Sequence, residues 1–315
     1  MHCMITDRID NITSLKPEYR SKVLKAPESV KIELTGKCNF SCHFCARSMV
    51  LRDQKHMDQK FYSRIIKEMF DSGVRELGLF YLGESFLCPW LKEAVREAKE
   101  IGFPYVFLTT NGSLCAEKKV REVMDAGLNS LKFSFNYSGP EQLTEIAKVK
   151  GSIFDTIVEN IKDAWETREL YGYDCGLYAS YIEYDGEQGE RMREAIRLVE
   201  PYLDEIYALP LYNQANLVKE REEGKGWIPT AGNRGRAGNL REPIPCWAVF
   251  TEGHITWDGK LSACCFDHNN SFSMADLNEV SFLEGWNSLS FQNLRAAHLD
   301  KNLSNTPCEH CVAYQ

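Results

Sequence analysis

The sequence predicts an α/β fold, a partial (β/α)6 barrel followed by a small C-terminal hairpin-plus-helix unit. From residue 29 onward, short β-branched or aromatic runs alternate with helical stretches, the pattern of βα units on a parallel sheet. The runs number six, short of a closed eight-stranded barrel, so the barrel is expected open with its reactive face at the strand C-termini. After Tyr212 the pattern gives way to a glycine- and proline-rich stretch and then to an Asp-Gly hairpin signal.

The six strands are expected over Ser29 to Gly36, Glu76 to Leu82, Tyr105 to Gly112, Ser130 to Asn136, Cys175 to Tyr184 and Glu205 to Tyr212. Asp58 to Asp71, Trp90 to Ile101 and Phe154 to Leu170 carry apolar residues at three- and four-residue spacing and read as helices. Gly73, Gly102, Gly127 and Gly172 suit their C-caps. The run GHITWDGKLSACCF reads as two strands joined at Asp258-Gly259 by a primed turn, and one helix is expected from about Asp276 to His298. The expected units are residues 1–28 as an N-terminal segment, 29–212 as the barrel, 213–245 as a linker or lid, and 246–315 as the C-terminal domain.

Composition narrows the function classes. The 315 residues are 43% hydrophobic, enough for a sizeable core. With 37 basic and 45 acidic residues the net charge of -8 argues against a nucleic-acid partner. The start MHCMITDRIDN is polar, and no apolar run suits a signal peptide or a membrane span, so a cytoplasmic protein without a membrane partner is expected. In a reducing compartment the 12 cysteines read as metal ligands before disulfides.

Cys38, Cys42 and Cys45 lie in KCNFSCHFC directly after the first strand. Three thiolates on a short loop can hold three corners of a [4Fe–4S] cube and leave one iron open. A structural zinc site recruiting His43 is the alternative. Position favours iron, because the end of strand one is where a catalytic loop belongs in a βα barrel.

This C-x3-C-x2-C pattern, with Phe44 before the last cysteine, resembles the radical S-adenosylmethionine (SAM) superfamily, and the resemblance extends from Val30 to about Tyr212. It implies SAM as cofactor, chelated by the open iron and cleaved reductively to a 5′-deoxyadenosyl radical that abstracts a hydrogen atom. It also implies a reducing partner such as flavodoxin or ferredoxin. LGES (Leu82 to Ser85) resembles the family's Gly-Gly-Glu-Pro, with Leu82 and Ser85 departing from it; Gly83 would admit close backbone approach and Glu84 would meet the SAM amino group. TTNG and FSFN place Asn111, Ser134 and Asn136 on the same rim, and the resemblance assigns Ser134 and Asn136 to the SAM ribose or carboxylate. Turn capping explains these serine and asparagine residues equally well.

Cys246, Cys264, Cys265, Cys308 and Cys311 form a second set, which by chemistry suits a zinc ribbon or a second [4Fe–4S] cluster. A cysteine, a G-x4-C hairpin and a later CxxC are similar to the SPASM/twitch extensions of radical SAM enzymes, which implies one auxiliary cluster. G-x4-C favours Cys264 over Cys265 as its ligand, with Cys265 expected on the other face of the strand. Cys265 and Cys88, which follows LGES, are then candidate hydrogen-atom donors, against the alternative of small buried hydrophobes. Cys115 and Cys175 share that ambiguity, Cys3 has no evident role, and Arg234 and Arg236 are candidates for an anionic substrate group.

The function expected is a radical SAM dehydrogenase or epimerase acting on a small polar, sugar- or aminocyclitol-like substrate. With only 37 residues ahead of Cys38, a small molecule is favoured over a ribosomal peptide, which stands as the alternative substrate. A zinc-stapled, non-enzymatic scaffold is the rival from a different class.

Overall fold

A computed structural model describes residues 4–49, 52–183, 186–211, 214, 218, 242 and 244–311. The linker or lid expected at 213–245 falls almost wholly outside these residues, as do Cys3, Arg234 and Arg236. All six expected strands are present and parallel, each pairing with the next in chain order: β1 (Ser29–Ile32), β2 (Glu76–Gly78), β3 (Tyr105–Thr110), β4 (Ser130–Ser134), β5 (Gly176–Ile182) and β6 (Glu205–Leu209). They end earlier than the apolar runs do. Past β1 the backbone turns away to pair with the following loop, Met57 N–H donating to Leu34 at 2.9 Å and Gly36 N–H to Lys55 at 2.9 Å.

One face of these strands is aliphatic and sealed by helices. Val30, Ile32, Leu77, Leu108, Leu131, Phe133 and Leu177 are buried there against α2 (Gln59–Ser72), α3 (Leu91–Ile101), α4 (Glu117–Asp125), α5 (Pro140–Ala147) and α6 (Ile153–Tyr171). The helix α7 (Gly186–Val199) follows β5. The helix boundaries match the periodicity because local capping enforces them. Asp58 accepts from Phe61 N–H at 2.9 Å to start α2, and Gly73, Gly102 and Gly172 close their helices with φ of 111°, 113° and 66°. Gly127 differs, standing one residue beyond the cap Ala126.

Strand residues alternate faces, so Lys31, Thr109, Lys132, Ser134, Tyr178, Ser180 and Tyr207 fall on the opposite side, which is the barrel lumen. Its floor is closed by the N-terminal helix α1 (Ile5–Thr13). Arg8 pairs with Glu76 and lies 4.0 Å over the Tyr105 ring, Thr6 bonds Glu205, and Ile5 packs on Tyr178 and Tyr207. Glu76, Tyr105 and Glu205 are the first residues of β2, β3 and β6, so α1 covers their N-terminal ends.

The C-terminal hairpin continues the barrel's sheet. Following a single turn, α8 (Ala248–Thr251), strand β7 (Glu252–Ile255) pairs parallel with β1, and β8 (Lys260–Ser262) and β9 (Ser273–Asp276) add antiparallel, giving nine strands among the described residues in the order 6-5-4-3-2-1-7-8-9. The turn differs from the primed form expected. Thr256 N–H bonds Lys260 at 3.0 Å and Gly259 N–H bonds Thr256 at 2.9 Å, a three-residue loop in which only Gly259 has positive φ, at 83°. The single helix expected to His298 is also corrected. It is split into α9 (Phe282–Trp286) and α10 (Leu289–Leu299), because Ser281 and Ser288 each cap a new start. The break lets Asn287 bond both polar backbone groups of Leu24, while Arg295, between the Trp286 and Phe291 rings, donates to Lys22 at 3.0 Å.

Candidate functional site

The cysteine loop crosses the mouth of the barrel and is pinned by its own backbone. Ser41 N–H donates to Ala147 at 3.0 Å and His43 N–H to Ile146 at 2.9 Å, docking the loop on the end of α5. Buried Arg47 donates to the Phe40 carbonyl at 2.7 Å and to Gln54 at 2.7 Å. Cys38, Cys42 and Cys45 are in no disulfide; Cys38 feels the charge of Cys45, and Cys42 that of Cys45 and Cys38. Burial pushes Cys38 up to about 11 and Cys42 higher, with Cys45 adding to the effect on Cys42. Thiolates here need a neighbouring positive charge, which cluster iron supplies.

The rim beside the loop is built by β2, β3 and β4. A Cβ on Gly83 would lie 1.9 Å from the Thr35 carbonyl oxygen, so its lack of a side chain serves contact with the start of the cysteine loop. Glu84, expected to meet the SAM amino group, stands at this rim already hydrogen-bonded. It is 2% exposed and accepts from Phe86 N–H at 3.1 Å, Thr110 Oγ1 at 2.8 Å and Asn111 N–H at 2.8 Å. With three donors on a carboxylate that can accept about four, it braces the rim and keeps room for one more. Asn111 donates to Asn39 at 2.9 Å, knitting the rim to the cysteine loop. Ser134 ends β4 opposite Ser180, and Phe44 packs against Ile182 and Leu211 across the mouth. Asn136 is 8% exposed, and its Oδ1 has no hydrogen-bond partner among the described residues. An orphaned buried acceptor at the rim fits a ligand donor such as a ribose hydroxyl or an ammonium.

The second cysteine set gathers where the hairpin meets the C-terminal turn. The half-buried Cys264 thiol feels Cys265, Cys308 and Cys246, while Cys265, pushed up to about 11 by burial, feels Lys31, Glu252 and Cys311. The strand alternation expected to separate Cys264 from Cys265 does not apply. Both follow the end of β8 in a turn folded around Asp267, which accepts from Ser262 Oγ at 2.7 Å and Ser271 N–H at 2.8 Å. Among the described residues no three Cys, His, Asp or Glu side chains converge as the donors of one metal ion would.

Two buried polar groups escaped the sequence reading. Lys31 bonds Glu252 at 2.7 Å, and His254 Nε2 lies 3.1 Å from the same carboxylate, making a chain on the lumen side of β1 and β7. Burial opposes the Glu252 charge, yet Lys31 and His254 outweigh it and hold the carboxyl down at about 2. Arg52 forks onto Glu33 with two bonds of 2.8 Å and donates to the His268 carbonyl at 2.9 Å, joining the cysteine-loop segment to the hairpin. The available signal was Lys31 and Glu33 alternating with Val30, Ile32 and Leu34 in a buried strand. Tyr81 adds a further link, its hydroxyl donating to the Cys264 carbonyl at 2.8 Å.

Cys88 does not reach this site. It is buried in the main core, beside Tyr62 and Trp90, and borders a cleft lined by α3 and α4 residues on the helix side of the sheet. Cys115 and Cys175 are likewise buried in the core. No helix among the described residues is long and apolar enough to cross a membrane.

Comparison with known proteins agrees with this geometry. The radical SAM superfamily model matches residues 32–168, and the SPASM iron–sulfur cluster-binding domain model matches residues 246–312. A probable GTP 3′,8-cyclase of Methanothermobacter marburgensis is 34% identical over 146 residues, 46% of this chain and 45% of that protein. The match therefore spans less than half the length of that relative. A probable GTP 3′,8-cyclase of Sulfolobus acidocaldarius is 30% identical over 292 residues, covering 81% of this chain and 86% of the relative. Among solved structures, BtrN in complex with AdoMet and 2-DOIA aligns with a TM-score of 0.59 at 15% identity, over 90% of this chain and 92% of that one. Streptococcus suis SuiB bound to the precursor peptide SuiA aligns with a TM-score of 0.66 at 17% identity, over 93% and 71%. At these identities the structural likenesses show the fold.

The relatives overturn one expectation. Sugar or aminocyclitol dehydrogenation or epimerisation is not what they are named for, since the proteins with substantial identity carry the name of a cyclase acting on GTP. The cofactor expectation stands, with SAM and a [4Fe–4S] cluster for the first domain and an auxiliary cluster for the second. The chain belongs to the radical SAM superfamily and carries a C-terminal SPASM iron–sulfur cluster-binding domain.

Proposed function

We propose that this chain is a radical SAM enzyme acting on a small molecule, with GTP as the substrate and cyclisation as the reaction. The observation that carries the radical chemistry is the three-thiol loop at the strand C-termini beside the orphaned Asn136 acceptor. Identity of 30% across 81% of the chain to a probable GTP 3′,8-cyclase supports the substrate. When bound, the cluster and SAM supply a radical able to take a hydrogen atom from an unactivated carbon.

The chain's own residues do the rest. Cys38, Cys42 and Cys45 hold the first cluster, and Cys246, Cys264, Cys308 and Cys311 hold the second, in domains of residues 29–212 and 246–315. Glu84 offers its remaining lone pair to the SAM ammonium, while Asn136 and Ser134 meet the ribose or carboxylate. Phe44 and the α1 floor keep water from the lumen. Lys132 offers a cation for phosphate: its ammonium reaches the Tyr207 hydroxyl at 3.3 Å, and no carboxylate pairs with it among the described residues. A one-electron donor such as flavodoxin or ferredoxin is the expected reductant.

The test is anaerobic incubation of the reconstituted protein with SAM, dithionite and GTP, followed by mass spectrometry. The expected result is 5′-deoxyadenosine in step with a GTP isomer joined between C3′ and C8. If 5′-deoxyadenosine forms at the same rate with and without GTP, and GTP is recovered unchanged, the substrate assignment fails while the radical chemistry stands.

A further inference from the structure

We propose that the Tyr137 hydroxyl sets the reduction potential of the SAM-binding cluster through a hydrogen bond to the Sγ of Cys42. This rests on the assignment of Cys42 as a cluster ligand. The two atoms are 3.0 Å apart, a contact close for a hydrogen bond to sulfur. Tyr137 stands three residues beyond Ser134 at the end of β4, is 2% exposed, and meets the Phe40 ring edge-on at 6.2 Å.

The direction of the bond follows from chemistry. A cysteine that ligates iron has lost its proton, so the phenol is the only donor of the pair. A phenol holds its proton at neutral pH, so the Tyr137 hydroxyl has a hydrogen to give. A donor on a ligand sulfur withdraws charge from the cluster. Reduction adds an electron, part of which resides on sulfur, so the bond strengthens in the reduced form and raises the potential. A phenylalanine would fill almost the same volume without a donor, which separates this role from packing. Tyr137 is therefore a positioning residue acting through Cys42, and it shares its strand end with Ser134 and Asn136 of the cofactor rim.

The experiment uses the full chain, reconstituted with iron and sulfide, and follows the SAM-responsive electron paramagnetic resonance signal in a redox titration. Two proteins are compared with wild type, Tyr137→Phe and a protein carrying 3-fluorotyrosine at position 137, whose more acidic phenol is the stronger donor. The expected result is a midpoint shifted to more negative potential by phenylalanine and to more positive potential by fluorotyrosine, with iron content unchanged. Coincident midpoints in all three proteins overturn the proposal. If phenylalanine costs the cluster outright, the fluorotyrosine protein decides, since it keeps the shape and polarity of the side chain. A Cys42→Ala protein that retains the SAM-responsive signal and full iron content overturns the ligand assignment itself.

Discussion

Replacing Gly83 with alanine tests how the rim and the cysteine loop depend on each other. The added Cβ would stand 1.9 Å from the Thr35 carbonyl oxygen and 2.7 Å from that of Lys37, both backbone atoms that cannot rotate away. Ordinary contact distances begin at about 3.5 Å, so one strand of the contact must retreat by roughly 1.5 Å. That movement also breaks the 2.8 Å bond from Glu84 N–H to Lys37, one residue before Cys38. Overpacking of this kind costs about 1–3 kcal/mol and the lost hydrogen bond about 1 kcal/mol more, a total of about 2–4 kcal/mol. Urea unfolding of the cluster-free chain reads the energy, and iron analysis after reconstitution reads the site. Iron should fall from about eight atoms toward about four, because the displaced loop carries the first cluster and leaves the second untouched. Gly73→Ala is the control: its φ is 111° but nothing lies within 4 Å, so it should cost about 1 kcal/mol and leave iron unchanged. A Gly83→Ala protein with wild-type unfolding and full iron would refute the reasoning.

Three further outcomes are expected. Arg52→Ala leaves Glu33 buried without its cation and should destabilise the chain by about 3–5 kcal/mol in urea, with Glu33→Gln added to it recovering part of the loss. Cys246→Ala or Cys308→Ala should lower iron from about eight to about four per chain while the SAM-responsive signal persists, whereas Cys265→Ala should leave the iron count unchanged. Burial, with Arg52 and Arg47 nearby, holds His268 down at about 3 from 6.5. The unfolded chain therefore takes this proton first, so the contribution of His268 to stability is level above pH 6.5 and falls by about 1.4 kcal/mol per unit on acidification toward pH 3. Unfolding free energies measured from pH 7 to 4 should be less steep in His268→Gln than in wild type by about this amount, the buried His254 and His298 supplying the slope that remains.

The barrel was legible because each of its units is local. Periodicity identifies a helix from its own residues, and Asp58, Gly73 and Gly102 mark the ends by backbone chemistry that needs no partner. The same locality made KCNFSCHFC readable, since three cysteines within nine consecutive residues depend little on the rest of the chain. Where the partner is distant the reading failed. Apolarity alone extended β1 to Gly36, but pairing with residues 55–57 turns the chain away sooner. Apolar spacing also ran one helix through Ser281 and Ser288, although both serines are ordinary N-caps. Cys88 follows the LGES loop by one short turn in sequence, yet that turn carries it to the helix side of the sheet.

By itself the sequence determined the superfamily, the six parallel strands and the two cysteine sets, because repeated local patterns and close ligand spacing encode them. Only the tertiary structure decided how those sets are joined. β7 pairs with β1 through backbone groups that every residue carries, so no side-chain pattern announces that the C-terminal hairpin extends the barrel sheet. Tyr137 on Cys42, Arg52 on Glu33 and Glu252 on Lys31 are likewise meetings of residues 95, 19 and 221 positions apart. Such contacts depend on where folding brings the chain, and they are what hold the cluster loop, the rim and the hairpin in one register.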